Sequence, residues 1–435
     1  MCGIAGIISL NPNLPLNDIV SAMNNTIIHR GPDGDGIFRD VFICLGHRRL
    51  AIIDPEHGKQ PLTTLDGRYT VTFNGEIYNY LELRRELISK GHPIHSYSDT
   101  EIIPYAYIEW GKDCVLHFRG MFAFAIWDNK EQELFCARDR IGIKPFYYFF
   151  DNNHFIFASE IKALFASGLV KAEYDKQGLQ DYITFQFCLQ NLTLFKNILK
   201  LEPGTWLNLK KQKEKFDLKI RSYWNLSYEV CERQDEKYYT DNLLYLLEES
   251  MNLHLRSDVP LGAHLSGGLD SSTVVSLASR ILEGNKLKTF TGAFREGLEY
   301  DETGYARMVA EATNCDYNEV FISGEDFTSI FPKLIYHMDE PLAGPGLIPQ
   351  YFVSKLAAEQ VKVVLGGQGG DELYVGYARY FIAYLEKCLA AAIWPEQTQL
   401  DHGLSLVGMI SNLPLLNTYK PMLKHFLSDG LFENE

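Results

Sequence analysis

Cys2 is the first residue placed for chemistry. It stands between Met1 and Gly3. If Met1 is removed, Cys2 gains a free α-amine beside its own thiol, and that amine titrates near neutrality. The thiol then carries its own base, the arrangement of a self-activated nucleophile. Taken alone, a cysteine at position 2 is only a residue near the start. A second centre is expected in HLSGGLDSSTVV, residues 264–275. An apolar strand ends at Leu265, then Ser266, Gly267 and Gly268 turn the chain, and a helix starts near Ser271. Glycines admit a ligand close to the backbone. The hydroxyls of Ser266, Ser271 and Ser272, with the helix N-terminus, suit phosphate oxygens. Asp270 would oppose a phosphate unless a cation lay between them, so Mg2+ is implied. No GK[ST] follows, which rules out a Walker A loop. An ordinary βα turn is the plainer alternative. A third stretch, VVLGGQGGDELYVGY at 363–377, places Gly366 and Gly367 for close ligand approach and Asp371 as a second carboxylate on the metal, or merely as a favourable acidic residue at a helix start.

The elements that must hold these residues differ between the two halves. The first half alternates short apolar runs: 3–9, 41–45, 50–53, 69–73, 121–128, 133–139, 145–150 and 155–159 are expected strands. Residues 77–91 read as an amphipathic helix closed by Gly91, and 100–111 as a second helix behind Ser98 and Asp99. This is an α+β layered domain, expected over residues 2–205. The polar stretch 206–236 is expected to be a linker. Beyond it, strands at 261–265, 287–294, 317–322 and 361–366 alternate with helical patterns, the signature of a parallel sheet covered by helices, here 237–435. Both glycine loops leave such strands, so both should open at the sheet's carboxyl edge.

Composition narrows the classes. The 435 residues carry 41 Lys and Arg against 56 Asp and Glu, a net charge of −15 that disfavours a nucleic-acid platform. Eight scattered cysteines form no CxxC pair, as expected for reduced thiols in a cytoplasmic protein. There is no signal-peptide pattern and no apolar run of membrane-spanning length.

Further stretches accompany Cys2: RGPDG at 30–34, HRRLAIID at 47–54, FNGEIYN at 73–79, SDTE at 98–101 and ARDRIGIKPFYY at 137–148. Together they resemble class II (N-terminal nucleophile) glutamine amidotransferases. Joined to SGGLDSS, they resemble the glutamine-hydrolysing asparagine synthetase family, from Met1 to about Arg379. That resemblance implies an αββα domain followed by an α/β nucleotide-binding domain. It implies that Cys2 attacks the glutamine side-chain amide and that Asn74 and Gly75 form an oxyanion hole. Arg49 would hold the substrate α-carboxylate, and Glu76 and Asp99 its α-ammonium. Leu50, Ala51, Ile52 and Ile53 would line the glutamine site. Leu265, Gly292, Gly366 and Gly367 would line the ATP site with the Ser266–Ser272 loop, including Gly268, Asp270 and Ser271. Released ammonia would travel internally to an acyl-adenylate of a carboxylate acceptor, aspartate in the first instance. A homodimer is a further expectation. Plainer readings exist: Arg49 as a surface ion pair, Asp99 as a helix cap, Asn74–Gly75 as a hairpin turn.

Two departures stand out. The family loop usually reads SGEGSDE, where this chain has GGQGGDE, so Gln368 replaces a glutamate; an amide is no general base at neutral pH. The family's synthetase domain also normally continues further, so this chain reads as truncated at its C-terminus. Amidation of another carboxylate such as a uronic acid, a glutaminase alone, or a non-catalytic binding protein are the alternatives.

Overall fold

The computed structural model describes residues 1–228, 234–282, 284–294, 301–341, 344 and 346–393. In the first half the strands are β1 Gly3–Ser9, β2 Gly34–Arg39, β3 Ile43–Arg49, β4 Leu62–Thr63, β5 Tyr69–Ile77, β6 Gly120–Asp128, β7 Glu133–Arg138, β8 Tyr147–Phe150, β9 His154–Ala158, β10 Ile198–Lys200, β11 Thr205–Lys211 and β12 Phe216–Ser222. They form two antiparallel sheets, β10-β8-β9-β1-β3-β2 and β12-β11-β7-β6-β5-β4.

The strands are apolar on both faces because both faces are covered. In β6, Ala123, Ala125 and Trp127 point into a layer shared with Ile4, Ile8, Phe155 and Phe157 of the facing sheet. The alternate residues Phe122, Phe124 and Ile126 meet Leu83, Leu87, Ile102 and Ile103 of the helices Tyr80–Ser89 and Asp99–Trp110. On the outer face of the other sheet, Ala5 and Ile7 meet Leu16, Val20 and Met23 of the helix Leu16–Thr26 and Ile161 and Leu164 of the helix Ile161–Ala166. The period-2 pattern of each strand thus builds four layers, αββα.

Two expectations need correction. Residues 205–222 are not linker. Leu207 and Leu209 are buried in the layer between the sheets while Trp206 packs on the opposite face, so β11 pairs with β7 and β12 closes the edge. Nor are residues 50–53 a strand; Leu50 N–H and Ala51 N–H are taken up by side chains and Ile52 O by the Asp258 N–H, as described below. Two helices on the outer face of the first sheet, Leu16–Thr26 and Ile161–Ala166, and a third, Lys176–Phe185, escaped the sequence reading.

The second half holds β13 Leu261–His264, β14 Lys288–Phe294, β15 Asp316–Ile322 and β16 Val363–Leu365 in a parallel sheet ordered β15-β14-β13-β16. The helices Leu269–Ile281 and Thr303–Ala312 cover one face and Leu347–Ala358 the other. β13 lies between β14 and β16, so the order reverses there. The loops after β13 and β16 are neighbours at this switch point, where ligands bind in open α/β sheets. The stretch 413–435 lies outside the described residues. Among the described residues, no helix is long and apolar enough to cross a membrane.

Among the described residues, Trp127 is the largest fully buried side chain. Replacing it by Ala is expected to cost about 3–5 kcal/mol, visible as a lower midpoint in urea unfolding.

Candidate active site

β1 begins at Gly3, so Cys2 sits at the end of a central strand. Its Sγ accepts the backbone N–H of Leu50 at 3.3 Å and lies 3.5 Å from the Leu50 carbonyl. Burial pushes the thiol up from its usual range, so it needs a base to ionise. The terminal amine, here on Met1, is held down at about 5, chiefly by burial and further by the cations Arg30 and Lys144. Lys144, from the ARDRIGIKPFYY stretch, is itself lowered to about 8 by burial, and its Nζ is 3.1 Å from Met1 Sδ.

Asn74 and Gly75 lie within β5, paired with Ala123 and Phe122, and are not a hairpin turn. The Asn74 side chain is fully buried, yet neither of its amide atoms has a hydrogen-bond partner among the described residues. Buried amides are nearly always bonded. An orphan of this kind beside a thiol is suited to a ligand's developing negative charge. Nearby, Gln60 is locked in place: its Oε1 accepts Phe73 N–H at 2.7 Å and its Nε2 donates to Thr100 Oγ1 at 3.1 Å.

Arg49 is no surface ion pair. Its Nη1 and Nη2 donate to the carbonyls of Pro55 and Asp54, each at 2.7 Å, and the remaining donors are left for a carboxylate. Ser98, not Asp99, caps the helix Asp99–Trp110 by accepting Thr100 N–H. Asp99 accepts Ile77 N–H at 3.0 Å, and burial, reinforced by Glu76, raises it to about 7. Glu76 is raised too, again by burial. Two carboxyls with raised pKa values at one wall form a site for a cation.

The loop after β3 is shaped by side chains. Asp33 of RGPDG accepts Ala51 N–H at 2.9 Å, and Lys362 of the second half donates to the same Asp33 oxygen at 2.7 Å. Asp258 accepts Asp54 N–H at 2.8 Å, and its own N–H donates to Ile52 O at 3.3 Å. The second half therefore helps set the loop that carries Leu50, Ile52 and Ile53.

One cavity of about 800 Å3 joins the halves. Cys2, Arg49, Asn74, Gly75, Glu76, Asp99 and Lys144 line it from the first half, and Gly366 and Gln368 from the second. Leu247, Met251, Val274, Ala357, Val361 and Val364 make an apolar stretch of its wall.

The two glycine loops are packed together. A Cβ on Gly367 would lie 2.8 Å from Ser271 N and 2.9 Å from Asp270 Cβ, so only glycine allows this approach. Gly370 abuts the Asp270 carboxylate, and Asp371 follows it, so both carboxylates belong to one loop junction. Ser266 and Ser271 share a hydrogen bond of 3.0 Å, while Ser272 Oγ is buried without a partner among the described residues. These hydroxyls and the N-terminus of the helix Leu269–Ile281 fit a triphosphate. Among the described residues, no group of three or more His, Cys, Asp or Glu could hold a metal. Mg2+ carried on phosphates needs only one or two protein carboxylates, so Asp270 and Asp371 suit it. Leu265 N–H is committed to Phe290 O, and Leu265 O accepts the Thr291 hydroxyl. Gly292 lies in β14 and packs toward Val353.

Comparison with known proteins follows this division. The glutamine amidotransferase domain family matches residues 1–224, and the asparagine synthase family matches 242–429. Asparagine synthetase [glutamine-hydrolyzing] 1 of Bacillus subtilis is 40% identical over 383 residues, covering 87% of this chain and 59% of its own length. A putative asparagine synthetase [glutamine-hydrolyzing] 2 of Methanocaldococcus jannaschii is 38% identical over 405 residues, covering 88% and 77%. The chain belongs to the glutamine-hydrolysing asparagine synthetase family. Amidase chry2 of Gibberella zeae is also similar, 32% identical over 87% of this chain and 59% of its own.

Two of the three departures from the asparagine synthetase loop, Gly366 and Gln368, adjoin one another in space. A Cβ on Gly366 would meet Gln368 Oε1 at 2.1 Å, so the Gln368 side chain occupies the place a serine at 366 would need. Gln368 Nε2 donates to Gln350 Oε1 at 3.2 Å, and Gln350 Nε2 lies 3.2 Å from His264 Nδ1. Burial lowers the His264 pKa, which favours a neutral ring able to accept there. Asp33, Gln60, Lys144, Gln350 and Lys362 were not assigned from sequence. Asp33 and Lys144 lay inside quoted motifs; the others carry no local signal.

Gly367→Ala forces the loops apart against backbone. It is expected to cost about 1–3 kcal/mol, read as a lower thermal midpoint, and to weaken any nucleotide-induced stabilisation.

Proposed function

We propose that the protein is a glutamine-dependent, ATP-cleaving amidotransferase. Cys2, freed of Met1, attacks the glutamine side-chain amide; its α-amine takes the thiol proton and returns it to the departing nitrogen, Asn74 and Gly75 receive the oxyanion, and water then releases glutamate from the Cys2 thioester. Ammonia leaves through the shared cavity. At the other end a carboxylate, activated by ATP as an acyl-adenylate with loss of pyrophosphate, accepts the nitrogen and releases AMP. What supports this reading is one cavity lined both by Cys2 and by Gly366 and Gln368, which belong to the loop packed against Asp270 and Ser271. Its apolar wall suits neutral ammonia better than ammonium. Asp270 and Asp371 would hold Mg2+ on the phosphates. Aspartate is the acceptor in this reading, with a homodimer working in the cytoplasm.

The chain spans 59% of the length of the Bacillus subtilis relative, so activity is tested directly on this chain. Protein of verified N-terminal mass is incubated with glutamine, ATP, Mg2+ and aspartate. Glutamate, AMP, pyrophosphate and asparagine are expected together. Glutamate without AMP would reduce the function to a glutaminase. Gln368 favours a second reading, an acceptor other than aspartate such as a uronic acid. AMP formed with a uronic acid and not with aspartate would establish it.

Asn74→Ala is expected to lower glutaminase kcat by about 10²–10³-fold, while ammonia-dependent synthesis persists. Asp99 supplies a pH test. Its carboxyl, raised to about 7 by burial, must be ionised to hold the glutamine α-ammonium. As pH falls through 7 it gains a proton and the pairing is lost. KM for glutamine should therefore rise from pH 8 to pH 6, and Asp99→Asn should leave a high KM that no longer varies over this range.

A further inference from the structure

Most ion pairs between the halves are open to water. Arg119–Glu249, Arg256–Glu82 and Lys362–Asp33 each have a partner at least 40% exposed, and such pairs contribute little. One cluster differs. Arg30 Nε donates to the Cys2 carbonyl at 2.9 Å, and its Nη1 to Glu160 Oε1 at 3.0 Å. Glu160 Oε1 also meets His29 Nε2 at 2.8 Å, and Glu160 Oε2 accepts Lys162 Nζ at 2.5 Å. Lys162 then reaches Asp339 Oδ1 at 2.9 Å. The side chains of Arg30, Glu160, Lys162 and Asp339 are only 8–10% exposed. Removing one partner from such a buried chain leaves a charge uncompensated.

Asp339 comes from the second half, at the end of the helix Gly324–Met338. Its other oxygen, Oδ2, accepts Ile161 N–H at 2.7 Å, so it also caps the helix Ile161–Ala166 of the first half. Its backbone is left-handed, φ +65°, a conformation that a non-glycine residue keeps only when its surroundings impose it. The next two residues are fixed to the first half as well. Glu340 Oε1 accepts Leu194 N–H at 2.5 Å, and Tyr182 Oη donates to Pro341 O at 2.8 Å. Further along is the helix Leu347–Ala358, which carries Gln350 against Gln368 and lines the cavity with Ser354, Ala357 and Ala358.

We infer that Asp339 is a positioning residue for Cys2, supplied by the synthetase half. Through Lys162, Glu160 and Arg30 it fixes the Cys2 carbonyl, and so ties the geometry of the nucleophile to the docking of the half that consumes the nitrogen. This rests on the reading of Cys2 as the glutamine nucleophile. None of the residues between Asp339 and Cys2 need touch substrate. Their effect is on the placement of the thiol, and small misplacements of a reacting group are costly.

The test uses the full chain with Met1 removed. Asp339→Asn keeps an acceptor for Ile161 N–H but loses the charge; Lys162→Met breaks the same link from the other side; Lys162→Arg preserves it. Glutaminase kcat and KM, ammonia-dependent AMP release, and the rate of Cys2 alkylation by iodoacetamide are measured on each. Asp339→Asn and Lys162→Met are expected to lower glutaminase kcat roughly tenfold, with KM for glutamine changed less than about twofold. Ammonia-dependent turnover should be unchanged, and Lys162→Arg should recover most of the loss. Unchanged glutaminase kcat overturns the inference. So does a parallel fall of both activities, which would mark a merely structural contact. If the unmodified chain hydrolyses no glutamine, the reading of Cys2 is what fails. The alkylation rate then decides the positioning claim by itself, and equal rates in wild type and Asp339→Asn overturn it.

Discussion

The segment Leu50–Asp54 cannot pair in a sheet, because its polar backbone is already committed elsewhere. Leu50 N–H meets the Cys2 sulfur, Ala51 N–H goes to Asp33, Ile52 O and Asp54 N–H go to Asp258, and Asp54 O holds Arg49. Each bond orients something the site requires: a thiol, a cavity wall, a guanidinium, or the other half of the chain. Buried and half-buried backbone groups must be paired. Here that requirement is met by functional and interface groups, side chains and the Asp258 N–H among them, in place of a neighbouring strand. The same segment meets the second half through Asp258, and Leu50, Ile52 and Ile53 line the cavity.

The layered sheets were legible for a definite reason. Runs such as MFAFAIWD are apolar at successive positions, which a strand tolerates only when covered on both faces, and β6 is so covered. The parallel sheet was legible from its alternation with helices. The helix Leu16–Thr26 was not, because its Leu16, Val20 and Met23 stripe is short and follows a proline-containing turn. β11 and β12 were hidden by their many lysines, although Leu207 and Leu209 fill the core. At the site, motif residues such as Cys2, Arg49, Asn74 and Asp99 could be named from the sequence and do line one cavity. Partners brought in from far along the chain, such as Asp258, Lys362 and Asp339, could not, since nothing local distinguishes them from surface charges.

The glycine loops show how a pair of substitutions can be one event. Read along the sequence, Gly366 and Gln368 are separate departures from the family's loop. In space the glutamine side chain fills the volume beside Gly366 and is held through Gln350 to His264. A serine at 366 and this placement of Gln368 exclude one another. The amide also differs from a carboxylate in being able both to donate and to accept, so the change alters the polarity of the cavity wall as well as its shape.

Asn74 carries a different consequence. Its amide is fully buried with neither atom paired among the described residues, and a buried polar group left in that state costs about 1–3 kcal/mol. The fold therefore tolerates a local instability at the position most suited to meeting a negative charge. A search for sturdier variants, run without regard to turnover, would tend to replace Asn74 with an apolar residue and would be rewarded for it. Selection for robustness and selection for chemistry would pull in opposite directions at this one side chain.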